Sequence, residues 1–199
     1  MDNGATQQVI QAAVPRRPTG PGMTIPRLTF AEQLVLWSAR RLATANHGAA
    51  VTEAETEACR QDVRARVSGE LSVALCPTGG PAAGTEAAQA LERALDIFGC
   101  AGVRSLRLNP MCCRFVSNDE RLFLSFLASC QEGDYRHAAA LLSWFLPPAS
   151  VRTAAADGAA FARALFDAGF QLPQRITLAE SAGFPSSVSA EAAAPHMLH

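Results

Sequence analysis

The stretch that most constrains this chain runs from Ser117 to Leu146. Leu122, Phe123, Leu124, Phe126, Leu127 and Cys130 are interrupted only by Ser125, Ala128 and Ser129. A helix that is apolar nearly all round has to be covered by neighbours on several sides. Ser117-Asn118-Asp119-Glu120 reads as a capping box at its start. Gly133 and Asp134 supply a hinge, and Ala138, Leu141, Leu142 and Phe145 at helical spacing form a second helix that Pro147 and Pro148 stop. Everything else is expected to be helices laid against this pair.

The flanking segments carry the same grammar. Thr29-Phe30-Ala31-Glu32 is a second capping box, opening a helix to about Asn46 with Phe30, Leu34, Trp37 and Leu42 inward. Thr52 and Glu55 repeat the box before a helix whose Val63, Val67, Leu71 and Leu75 share one face. Cys76 to Pro81 reads as a linker, after which Thr85 caps a helix with the stripe Leu91, Ala94, Leu95 and Phe98. Val103 to Leu108 alternates as one short extended segment. A last helix, from about Ala149 to Ala168, has Gly158 in its middle, which costs roughly 1 kcal/mol against alanine but permits a close helix approach. The expected fold is all-α, a single compact bundle of about six helices spanning 28–172. A flexible Pro/Gly-rich arm (1–27) precedes it and a loose tail (173–199) follows.

Composition removes whole function classes. All 17 basic residues are arginine, so there is no lysine for a Schiff base, a pyridoxal-phosphate anchor or a P-loop. The glycine run before Thr85 mimics a phosphate loop, but Glu86 stands near where a cation is needed. A net charge of -1 gives no global pull toward nucleic acid or a membrane surface, so neither is expected as a partner. No charged n-region with an apolar h-region is seen, and the uncharged run Ala138–Val151 is too short to span a bilayer. The six cysteines are therefore expected as thiols in a reducing cytoplasm. The carboxylate groups Glu53/Glu55/Glu57 and Asp119/Glu120 read as helix N-termini. His137, beside Asp134 and Arg136, reads as a solvated or capping histidine.

Chemistry, if any, belongs to Leu106–Ser117, where an extended segment meets the turn Asn109-Pro110, the vicinal Cys112-Cys113 and a capped helix. There the sequence resembles a group of small alanine- and arginine-rich bacterial proteins of unknown function. They share a Leu-rich segment, a turn with Pro and Cys, and Ser-x-Asp-Glu opening a helix. The resemblance implies a bacterial, cytoplasmic protein and brings no activity with it. Its members separate their cysteines by one residue, whereas here they are adjacent. Cys112 and Cys113 can be packing residues, or thiols made reactive by Arg107, Arg114 and the following helix N-terminus. As metal ligands they would need Cys100, Cys130 and His137 to converge.

The resulting expectation is a non-enzymatic protein-interaction or regulatory module with no cofactor and no metal, binding a protein partner or a second copy of itself. Trp37, Arg40, Arg41, Arg104 and Arg107 form the candidate contact surface. Two rival readings stand beside it: a thiol-based redox or metal sensor using Cys112 and Cys113, and a helical module for a small ligand.

Overall fold

The computed structural model describes residues 23–45 and 53–176. The greater part of the expected N-terminal arm and C-terminal tail, and the Thr52 cap, lie outside the described residues. A short 3-10 turn, Ile25–Arg27, precedes α1 (Phe30–Ala45), α2 (Glu53–Ala101), α3 (Asn118–Glu132), α4 (Tyr135–Leu142) and α5 (Pro148–Asp167). The described residues contain no strand, only an isolated antiparallel bridge between Thr24 and Phe115. The chain is all-α.

α3 is the centre. Every residue from Leu122 to Cys130 is buried, the polar Ser125 and Ser129 included. The helix is covered by α1, α4 and α5, as an all-round apolar surface requires. Both of its ends are built by the residues the sequence supplies. At the start, the Ser117 hydroxyl accepts the Glu120 amide while the Glu120 carboxylate accepts the Ser117 amide. At the end, Gly133 adopts φ 73°, and the Asp134 amide reaches back to the Ser129 carbonyl at 2.9 Å. That left-handed residue turns the chain, and α4 folds back onto α3.

α2 does not run straight. Along a straight helix Arg64 and Glu92 would stand about 42 Å apart, yet they form an ion pair. The Ser68 and Thr85 hydroxyls meet at 2.9 Å, and a Cβ on Gly84 would lie 2.2 Å from the Ser72 amide nitrogen. The element is a hairpin of two antiparallel arms that reverses between Leu75 and Ala82. Pro77 and Pro81, which lack amide donors, and Gly79 and Gly80 fall in that interval. With its two arms counted separately, the bundle has the six α-helical rods its periodicity predicts. Thr85, expected to cap the second arm, lies inside it with its hydroxyl on Ser68 of the first arm, and the adjacent Gly84 lets the arms touch backbone to backbone.

The inward stripes of α2 pack chiefly against α5 and α1 rather than on the central pair α3 and α4 as expected, because α5 and α1 lie between them. Val67, Leu71 and Leu75 from the first arm and Leu91, Ala94, Leu95 and Phe98 from the second are buried. Phe98 packs edge-on against Phe123 at 5.9 Å and Phe145 at 5.5 Å between ring centroids. Gly158 admits the Phe126 ring so closely that an added Cβ would lie 2.1 Å from its Cζ. Phe30, expected inward, is 63% exposed, because it is the first residue of α1 and leans on Phe170 at the rim.

Packing extends past both expected boundaries. Met23 and Ile25 pack on the core, and Ile176 is buried. No described helix is long and apolar enough to cross a membrane.

Candidate functional site

The segment 102–117 between α2 and α3 has no regular structure of its own, and a buried charge cluster fixes it from beneath. Glu120, fully buried, is its hub. Its carboxylate accepts Arg40 Nε at 2.7 Å and Nη2 at 3.0 Å, together with the Asn109 amide at 2.8 Å and the Ser117 amide at 2.7 Å. Arg40 spends its remaining donor capacity on the loop backbone. Nη1 reaches the Cys113 carbonyl at 2.7 Å, and Nη2 the Phe115 carbonyl at 2.9 Å. Guanidinium and carboxylate are thus matched in a planar fork, and each also ties down the loop.

Asp119 does the same one residue earlier. It accepts Arg104 Nη1 on both oxygens at 3.0 Å and the Arg107 amide at 3.0 Å. The Arg104 guanidinium lies 4.2 Å from the centroid of the Phe145 ring. On the far side, the Ile25 amide donates to the Arg114 carbonyl and the Val116 amide to the Met23 carbonyl, both at 2.9 Å. A segment with irregular backbone therefore has its polar groups satisfied from four directions.

This geometry divides the residues singled out from the sequence. Arg40 is not a surface residue: it is 3% exposed, because its i−80 relation to Glu120 draws it inward. Trp37 and Arg41 are half-buried on α1, with the guanidinium stacked 5.7 Å from the indole centroid. Arg104 is half-buried and spent on Asp119, while Arg107 is exposed. The five do not form one patch. They are a buried clasp (Arg40), a stacked pair (Trp37 and Arg41), a loop anchor (Arg104) and an outward loop residue (Arg107).

Cys112 is exposed at the tip of the turn closed by the Cys113 amide on the Pro110 carbonyl at 2.9 Å. Cys113 is half-buried, its thiol 3.8 Å from the Phe115 carbonyl. The α3 N-terminus that was to support a thiolate is occupied by its own capping box. Among the described residues no group of three or more His, Cys, Asp or Glu is placed to hold a metal. Cys130 lies deep in α3, where burial pushes its thiol up to about 12, out of reach of nucleophilic chemistry near neutral pH.

A second polar cluster occupies the other end of α3, around the histidine expected to be solvated or capping. His137 is buried rather than solvated, since the Gly133 turn swings it against α3. Its amide is capped by Asp134 at 2.9 Å, and its Nδ1 lies 3.2 Å from both Ser129 Oγ and Gln174 Nε2. The serine–histidine spacing suits a nucleophile and base. However, Ser129 already donates to the Ser125 carbonyl at 2.8 Å, accepts Gln174 at 2.7 Å and is fully buried. The cluster instead fastens the segment after α5. Gln131 binds the Phe170 carbonyl at 2.9 Å and the Leu172 amide at 2.8 Å, and Arg175 pairs with Glu32 of α1.

Neither a protein-family model, nor a curated protein, nor a solved structure matches this chain.

Proposed function

We propose that this chain is a non-enzymatic, cytoplasmic protein-interaction module, and that the outer face of the 103–114 loop is its contact surface. The observation that carries the reading is a division of labour within the loop. Its backbone is anchored by buried Asp119, Glu120 and Arg40, while Val103 (63% exposed), Arg107, Met111 (38%), Cys112 and Arg114 are left to solvent. Irregular segments longer than about 12–15 residues inside compact domains usually serve a function. Binding residues favour loops held by a rigid scaffold. A loop held this firmly gives up little further entropy on binding.

A photo-crosslinking side chain installed at Met111 tests the reading, with Arg152 on α5 as the comparison site. A discrete covalent adduct from position 111, absent from 152 and competed by unlabelled protein, is the expected result. No adduct from 111, or the same adducts from both positions, would sink it.

The exposed turn tip favours one second reading, a thiol-based sensor using Cys112 with Cys113 beside it. Alkylation followed against pH decides it. If Cys112 reacts no faster than a free thiol near neutral pH, the sensor reading falls.

A further inference from the structure

The charge on the loop's outer face is one-sided, in a protein whose net charge is -1. From Gly102 to Asn118 the chain carries Arg104, Arg107 and Arg114 and no acidic residue. The two carboxylates that follow, Asp119 and Glu120, are buried and already engaged by Arg104, Arg40 and loop amides. Arg107 and Arg114 are exposed, and neither forms an ion pair with a described residue. Arg121, half-buried on the first turn of α3, likewise has no described carboxylate partner. Burial of the acids thus leaves the arginines uncompensated at the surface, with Met111 and Val103 exposed on the same loop.

Resting on the reading of this loop as a contact surface, we infer that it docks an acidic protein segment carrying apolar residues. Guanidinium forks take carboxylates in pairs, and a methionine offers an adaptable apolar contact. A nucleic acid fits less well. The loop's one aromatic, Phe115, is half-buried with the Arg114 guanidinium over its ring at 5.3 Å, so no stacking platform faces out.

The test uses the full chain and a fluorescein-labelled peptide of Glu and Asp interspersed with Leu and Phe, read by anisotropy. The expected result is saturable binding that weakens with salt. It should weaken roughly tenfold or more in the double variant Arg107→Glu with Arg114→Glu, since like charges then face each other. The charge-matched control Arg136→Glu with Arg152→Glu changes two exposed arginines on α4 and α5 and should bind as the parent does. Circular dichroism of both variants confirms that the helices persist. Equal weakening in the control, or no saturable binding, overturns the inference. So does a preference for single-stranded DNA or phosphatidylserine vesicles, or concentration-dependent pairing of the chain with itself in place of peptide binding. The two claims fail separately. If position 111 still crosslinks a discrete partner that the acidic peptide does not displace, the contact surface stands and its acidic specificity is lost.

Discussion

Glu120 and Glu32 are the same local device used in two settings. Each is the fourth residue of a capping box, fully buried, and gripped by the Nε and Nη2 of a distant arginine, Arg40 for Glu120 and Arg175 for Glu32. The difference lies in the arginine. Arg40 is 3% exposed and also holds two loop carbonyls, whereas the Arg175 side chain is 24% exposed at the rim. One clasp is therefore a desolvated joint between α1, the loop and α3, and the other fastens a terminal segment to α1. A capping carboxylate satisfies a helix amide and still has lone pairs to spare for a tertiary contact. Burial of the partner decides how much depends on that contact.

Glu120→Gln separates the two clasps most. It leaves Arg40 charged and buried without a counter-ion, so a loss of about 3–5 kcal/mol is expected in chemical denaturation. A loss no larger than that of the rim clasp would refute the distinction. Arg175→Met comes next, at about 1–3 kcal/mol, because Glu32 keeps its Thr29 bonds and the Arg175 side chain is partly in solvent. Its hydrogen-exchange signature should be confined to the segment 170–176, and acceleration throughout α3 would contradict a merely peripheral role. The smallest pair is Thr29→Ala against Ser117→Ala, each near 1 kcal/mol as lost caps. The two losses should be similar, since each hydroxyl also donates once, Ser117 to the Arg107 carbonyl at 3.1 Å and Thr29 to Glu32 Oε2 at 3.0 Å.

Acid sharpens the rim clasp in a defined direction. Burial alone would raise the Glu32 pKa, but the hydrogen bonds from Arg175 and then from Thr29 outweigh it and hold the carboxyl below its ordinary value. Because the folded value is the lower one, its stabilisation is complete above the unfolded value of about 4.3 and is lost as pH falls through the folded value. The stability gap between the parent and Arg175→Met should therefore be widest above that point and narrow in stronger acid. A gap that stays constant across this range would show that the ion pair does not set the shift.

Much of this arrangement is legible in the linear chain. The apolar run Leu122–Cys130 demands cover on all sides, Gly133 turns the chain, and Pro77 to Pro81 separates two apolar stripes of α2. All are local signals, written within one or two helical turns. The boxes at Thr29 and Ser117 are legible for the same reason. Their tertiary use is not. Arg40 lies 80 residues from Glu120, and Arg175 lies 143 from Glu32. Local pattern offers 17 arginines and no rule for choosing between them. Arg40 and Arg41 are adjacent and alike in sequence, yet one is the buried clasp and the other stacks on Trp37. His137 reads as a solvated cap until the hinge closes it onto Ser129 and the segment bearing Gln174 covers it.

The linear chain specified the helices, the caps at Thr29 and Ser117 and the turn at Gly133, because capping and periodicity act over a few residues. The tertiary structure decided which charges are buried and which face water. It takes Asp119, Glu120 and Arg40 inward and leaves Arg107 and Arg114 outside. Desolvation depends on every element that closes over a group, and only the assembled bundle specifies those elements.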